Sequence, residues 1–180
     1  MNKDHPLAAA LAKADLIHDQ VALMAAIHRM AQDITRDLSG RQPVFLTVMN
    51  GGLIIGGHLA LALPFDCEFD YCHATRYRGG TSGGTLDWIK APRMALAGRD
   101  VLLVDDILDE GYTLRAVRDY CAGQGANSVR IAVLCRKVHD RVAPGIAADY
   151  IGVEVPDRYV FGFGMDYHEQ GRNLPGIWAL

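Results

Sequence analysis

The sequence predicts an α/β fold with a mainly parallel sheet flanked by helices, and three observations carry that expectation. Val101–Val104 is a run of four consecutive branched aliphatics, which fits a central strand covered on both faces. Thr113–Cys121 then reads as a helix with Leu114, Val117 and Cys121 on one side, and Val129–Leu134 reads as the next buried strand. Earlier in the chain, Val44–Met49 followed by Leu53–Leu63 makes another strand–helix pair, the building unit of a parallel sheet.

The elements come in order along the chain. The first forty residues read as helical, because Ile17, Val21, Met24, Ile27, Met30, Ile34 and Leu38 step by three or four onto one face. Ser39-Gly40 ends that helix and Pro43 opens the β-prone run Val44–Met49. Asn50-Gly51-Gly52 turns the chain into the helix Leu53–Leu63, which stops before Pro64. Phe65–His73 is apolar and aromatic enough for a strand. Thr75–Lys90 carries four glycines and reads as a mobile loop or the tip of a long hairpin. Gly98-Arg99-Asp100 leads into Val101–Val104, and Gly123 and Gly125 lie beyond the next helix. Tyr150–Val155 and Tyr159–Phe163 are two short strands separated by Pro156-Asp157. A chain of 180 residues without internal repeats suits one domain.

Composition narrows the function. Half of the residues are apolar and 22% are charged, as in a packed core rather than a disordered chain. A formal net charge of -3 disfavours a broad grip on polyanions, so no nucleic-acid partner is expected. Cys67, Cys72, Cys121 and Cys135 form no C-x-x-C pair and read as reduced thiols. Leu7–Leu16 is rich in alanine but is interrupted by Lys13 and Asp15, which does not fit a signal peptide. No apolar run is long enough to cross a bilayer, so no membrane partner and a cytoplasmic location are expected. The seven histidines show no metal-ligand spacing and read as structural.

The segment that points to chemistry is Val101-Leu-Leu-Val-Asp-Asp-Ile-Leu-Asp-Glu-Gly-Tyr-Thr-Leu114. A strand ending at Val104 delivers the next residues to the carboxyl edge of the sheet, where α/β proteins bind ligands. Gly111 allows a tight turn and close backbone approach, and Thr113 stands where a helix N-cap is expected. The loop from Asp109 through Glu110, Gly111 and Tyr112 to Thr113 can aim backbone N–H groups and a hydroxyl at one anion. Asp105 and Asp106 would repel phosphate. As acceptors they suit ribose hydroxyls, and they can help to hold Mg²⁺ directly or through water. The segment therefore reads as a ribose-phosphate site.

These residues resemble the phosphoribosyl-pyrophosphate motif of the type I phosphoribosyltransferases: four aliphatics, two acids, two aliphatics, Asp, Thr, Gly, any residue, Thr. Glu110 stands where Thr is most usual. Further motifs resemble the hypoxanthine–guanine branch of that family. Met49-Asn50-Gly51-Gly52 is similar to its pyrophosphate loop, with Asn50 in place of lysine, and Gly51 would let backbone approach the pyrophosphate. The stretch Thr75–Lys90, with Arg76-Tyr77, is similar to its mobile flap. Lys137 resembles the lysine that contacts the purine exocyclic oxygen, with Arg136 beside it leaving open which of the two does so. Pro156-Asp157-Arg158-Tyr159-Val160 and Gly162-Phe163-Gly164-Met165-Asp166-Tyr167 match its base-binding segments.

The resemblance implies that Tyr159 stacks on the purine and that the Val160 backbone meets its edge. It implies that Asp166 lies beside the base as a metal or metal-water ligand, and that Arg141 and Arg172 reach pyrophosphate. Asp109 would assist proton transfer at the purine N7, and Mg²⁺ would be the cofactor. It further implies one domain over residues 1–180, with a core of about 40–150 and a small hood from the N-terminal helix and residues 151–180. The implied reaction joins phosphoribosyl pyrophosphate and hypoxanthine or guanine to give a nucleotide and pyrophosphate, in a homodimer or homotetramer. A xanthine–guanine enzyme and a nucleotide-sensing regulator of the same fold are the alternatives.

Overall fold

The computed structural model describes residues 6–76 and 86–180. Its elements in chain order are α1 (Pro6–Leu11), β1 (Asp15–His18), α2 (Gln20–Leu38), β2 (Val44–Val48), α3 (Gly52–Ala62), β3 (Glu68–Arg76) and β4 (Leu86–Lys90). Next come β5 (Asp100–Leu108), α4 (Tyr112–Gly123), β6 (Ser128–Lys137), β7 (Tyr150–Val155), β8 (Val160–Phe161) and β9 (Ile177–Ala179). The main sheet has six strands in the order β4-β3-β2-β5-β6-β7. β3 and β4 pair antiparallel at one edge, and every other pair is parallel. The expected α/β architecture is present.

The aliphatic runs are explained by burial on both faces. In β5, Leu102 and Val104 join a core with α2, α3 and Phe45, while Val101 and Leu103 join a second core with Leu114, Val117 and Cys121 of α4. β6 divides likewise, with Ala132 and Leu134 on the first side and Ile131 and Val133 on the second. Period-2 side chains on a sheet covered twice leave no room for a polar alternation.

The N-terminal forty residues are not one helix. Asp19 caps α2, accepting from the Ala22 N–H at 2.8 Å, and the helix runs only from there. Ile17 lies in β1, and Val21 is 79% exposed; Leu23, Ala26 and Ala31 complete the buried face instead. β1 pairs antiparallel with β9, which pairs with β8, so the two ends of the chain build a separate three-stranded sheet. Val160, Phe163, Met165, Ile177 and Ala179 tie that sheet into the α2 core.

Two strands are longer than their apolar runs. β5 does not stop at Val104 but continues through the acids to Leu108, because β6 stays paired with it as far as Leu108 opposite Arg136. The ladder with β2 ends earlier, at Thr47 opposite Val104. β5 and β2 therefore part company while β5 and β6 do not, and a cleft opens at the carboxyl edge. β6 likewise extends to Lys137, which closes the strand instead of following it. At the other end, β3 begins at Glu68, since Phe65 packs on the core from the preceding turn, and the expected strand Tyr159–Phe163 shortens to Val160–Phe161.

Candidate active site

The cleft left by the parting of β2 and β5 has a volume of about 490 Å³. Asn50 and Gly51 line one side, Asp105 and Asp106 the floor, Asp109 to Thr113 the far side, and Arg172 the rim. Residues from three distant parts of the chain thus meet at the edge where the sheet places ligands.

The floor is held by close packing. Asp105 and Asp106 are each 8% exposed, and Asp105 Oδ1 accepts from the Asp106 N–H at 2.9 Å. Burial pushes both carboxyls above the usual range, and the charge of Asp106 pushes Asp105 further. Arg172 offsets this from the rim. Its guanidinium is fixed by Asp166 Oδ1 at 2.7 Å and by the Gly164 carbonyl at 2.8 Å. A Cβ on Gly51 would collide with the Asp106 carboxylate, and one on Gly164 would collide with the Gly51 carbonyl. Both positions admit only glycine without a shift of their neighbours.

The loop to α4 turns at Gly111, whose φ of 77° places it in the left-handed region. A Cβ there would lie 2.8 Å from both Ile146 Cγ2 and Leu108 Cδ1. Gly111 is therefore the N-cap of α4, and Thr113, expected at that place, lies within the first turn. The displacement keeps the hydroxyl and the first-turn N–H groups at the cleft, since Gly111, Tyr112 and Thr113 all line it.

Asp109 stands where the cleft meets the end of β6. Lys137 Nζ donates to its Oδ2 at 2.6 Å, and His139 Nε2 lies 2.7 Å from its Oδ1. Partial burial alone would raise this carboxyl, but the bonds from Lys137 and His139 outweigh it and hold the group below its usual value. Arg136, the other cation at this point, turns away to form an ion pair with Glu154. Lys137 is thus the one directed at Asp109. His139 meets the site with its ring, through this contact with Asp109. A lone histidine in a Lys-Val-His-Asp-Arg stretch carries no spacing signal that could have shown it.

Tyr159, Val160, Asp166 and Arg141 are not among the residues that line the cleft. Tyr159 is half exposed and its hydroxyl donates to the Asp166 carbonyl at 3.1 Å. Val160 is buried in β8 opposite Ala179. Asp166 accepts from the Glu169 N–H at 2.9 Å as well as pairing with Arg172. Arg141 does not line the cleft; its guanidinium grips both oxygens of Asp157, at 2.7 and 2.8 Å. Tyr77 and the expected flap through residue 85 lie outside the described residues, as does the Arg76 side chain, while β3 and β4 form the paired base of that hairpin.

Among the described residues no three His, Cys, Asp or Glu side chains converge on one point. Asp105 and Asp106 make a two-carboxylate floor, and Asp166 is committed to Arg172. Such a partial set fits Mg²⁺, which keeps waters and shares substrate phosphate oxygens with one or two carboxylates.

Residues 13–170 match the model of the phosphoribosyl transferase domain. A hypoxanthine-guanine phosphoribosyltransferase of Streptococcus thermophilus is 34% identical over 166 residues, 92% of each chain. The enzyme of that name from Streptococcus pneumoniae is 34% identical over 164 residues, 91% of this chain and 89% of the relative. Among solved structures, a hypoxanthine phosphoribosyltransferase of Staphylococcus aureus superposes with a TM-score of 0.89 at 26% identity, covering 98% of this chain and 96% of its own. A hypoxanthine-guanine-xanthine phosphoribosyltransferase superposes with a TM-score of 0.84 at 28% identity, covering 92% and 96%. With the motif, the cleft and these relatives in agreement, the chain belongs to the phosphoribosyltransferase family.

Proposed function

We propose that this chain transfers the 5-phosphoribosyl group of phosphoribosyl pyrophosphate to hypoxanthine or guanine, giving IMP or GMP and pyrophosphate in purine salvage. The observation that carries the reading is Asp109 held by Lys137 at one end of a cleft whose other parts are the glycine-capped start of α4 and the Asn50-Gly51 loop. The names of the relatives support the same reaction.

In this reading the 5-phosphate sits on the N–H groups of Gly111 to Thr113. Asp105 and Asp106 accept from the ribose hydroxyls, and Glu110 contributes its backbone. Asn50, Gly51 and Arg172 face the pyrophosphate. Arg141 serves the base-binding segments through Asp157, not the pyrophosphate. The purine stacks on Tyr159, with the Val160 backbone and Asp166 at its edge and Lys137 donating to the 6-oxo group, which an adenine cannot accept.

A lone pair on one imidazole nitrogen of the purine forms the bond to C1′. The C1′–O bond breaks with its electron pair leaving on pyrophosphate, and the proton on the other imidazole nitrogen passes to Asp109 Oδ2. Developing positive charge at C1′ is stabilised by the carboxylates nearby. Asp105 and Asp106, with Asp166 as a further candidate ligand, would hold Mg²⁺, which would supply neutralisation of charge on the departing pyrophosphate. Arg76 and Tyr77 belong to the segment that would close over the site and keep water out.

We place the base-binding segments and the small sheet of the chain ends in a hood over a core of about residues 40–150. Four buried free thiols suit a reducing cytoplasm, and no described helix is long and apolar enough to cross a membrane. Exposed Leu53, Leu61, Phe69 and Tyr71 support a homodimer or homotetramer.

The test is nucleotide formation from phosphoribosyl pyrophosphate and Mg²⁺ with hypoxanthine, guanine, xanthine and adenine in turn, beside Asp109→Asn. Turnover of hypoxanthine or guanine, none of adenine, and a strong loss in the variant are expected. Faster turnover of xanthine would move the assignment to that base, and nucleotide binding without turnover of any base would make the chain a nucleotide sensor.

A further inference from the structure

We propose that His139 is the positioning residue of Asp109, holding one carboxylate oxygen fixed while the other is left free to take a proton; this rests on the reading of Asp109 above. β6 delivers Lys137 as its last residue, and His139, in the bend that follows the strand, meets the same carboxylate. The two side chains divide the carboxylate between them, Lys137 on Oδ2 and His139 on Oδ1. They are not equivalent partners. Lys137 reaches Asp109 with the end of a four-carbon stem and is 12% exposed, whereas the His139 ring is 2% exposed and packed in place.

The hydrogen bonds determine the state of the ring. The Arg141 backbone N–H donates to His139 Nδ1 at 3.0 Å. A backbone N–H can only donate, so Nδ1 carries no proton, and the neutral ring has its proton on Nε2, facing Asp109. Both nitrogens are used and the ring has one orientation. The loop around it cannot swing, because it is pinned to α4 and to the turn before it. The Ala143 N–H donates to the Glu110 carbonyl at 2.8 Å, Arg118 donates to the Gly145 carbonyl at 2.6 Å, and Arg141 grips Asp157.

The consequence appears when a 6-oxopurine enters. The Lys137 ammonium moves from Asp109 Oδ2 to the oxygen of the base, and Oδ2 is then open toward the ring nitrogen. Without a second anchor the carboxylate would be free to rotate at that moment. His139 keeps Oδ1 in place, so the orientation of Oδ2 is set before the substrate arrives.

The experiment compares His139→Gln and His139→Leu with the wild-type chain. Gln places an amide N–H where Nε2 stands and keeps the donor; Leu keeps bulk and loses it. For hypoxanthine, His139→Leu is expected to lower kcat by about tenfold to a hundredfold. KM for phosphoribosyl pyrophosphate should stay within about threefold. His139→Gln should recover most of kcat, and melting temperatures report whether each variant folds. A folded His139→Leu with wild-type kcat, or a folded His139→Gln that loses as much as Leu, overturns the proposal. Ring ¹⁵N shifts of wild-type His139 give a reading that needs no turnover. A protonated Nε2 and bare Nδ1 support the contact, and a proton on Nδ1 overturns it. If the wild type turns over no base, the functional reading fails by that result, and the nitrogen shifts still decide the contact.

Discussion

Replacing Gly51 by alanine tests whether the floor of the cleft is held by contact with a carboxylate. Gly51 has φ -61° and ψ -45°, an ordinary right-handed conformation in which alanine carries no backbone strain. By backbone entropy alone the substitution would stabilise, by about 0.5–1 kcal/mol. The new Cβ, however, falls on the Asp106 carboxylate, nearest to Oδ2 and Cγ and 2.9 Å from Oδ1. Asp106 is 8% exposed on a central strand, so its side chain cannot turn aside freely. Overpacking of this kind costs about 1–3 kcal/mol. At about 2–4 °C per kcal/mol for a chain of this size, the melting temperature should fall by about 2–12 °C. Asp106→Ala removes both the obstacle and a carboxyl that burial disfavours when charged, so it should leave the fold as stable or more stable while abolishing activity. In the Asp106→Ala background the Gly51→Ala penalty should disappear and give way to the backbone gain of about 0.5–1 kcal/mol. Urea unfolding of the four proteins, with slopes compared, measures the cycle. Equal losses in both backgrounds would refute the reasoning and place the cost in the backbone of the Asn50-Gly51 loop.

Gly111→Ala should cost about 1–3 kcal/mol, since its φ of 77° strains any L side chain and the Cβ meets Ile146 and Leu108; a urea midpoint equal to wild type would show that the turn relaxes. Arg136→Ala should change stability by less than about 0.5 kcal/mol and leave turnover intact, because its pair with Glu154 is at the surface. Lys137→Ala should lower kcat/KM for 6-oxopurines, and equal effects of the two in the same assay would contradict the division drawn between them. Burial alone would raise the Asp70 carboxyl, but N–H groups of Met94, Tyr71 and Arg93 together with Lys90 hold it below its usual value. Its stabilisation is therefore full above about pH 4–5 and is lost as pH falls through the depressed value. Urea midpoints of wild type and Asp70→Asn should converge toward acid, and a gap that widens there would reverse the sign.

The central sheet could be read from the sequence because burial on both faces leaves an unbroken aliphatic run, as at Val101–Val104. The true end of β5 could not. Acids beside a strand read locally as a turn, and only the ladder with β6, contributed by residues some thirty positions away, carries the strand to Leu108. The same holds for β1: Asp15–His18 has no local strand signal, and its partner Ile177–Ala179 lies at the far end of the chain. The motif from Val101 to Leu114 announced the cleft. The choice between Arg136 and Lys137 needed the pleat, which sends neighbouring side chains to opposite faces. His139 needed the folded loop as well.

The early end of the β2–β5 ladder has a consequence for solubility as well as for binding. Unpaired backbone usually occurs at the outermost strands, where it invites pairing with another chain. Here β2 ends at Val48, so residues beyond Val104 on β5 have an open side in the middle of the sheet, faced across the cleft by His73 and Ala74 of β3 and rimmed by Glu169 and Arg172. A strand from another molecule cannot enter such a slot, but a small molecule can. The protein thereby offers polar backbone to a ligand at a place sheltered from edge-to-edge aggregation.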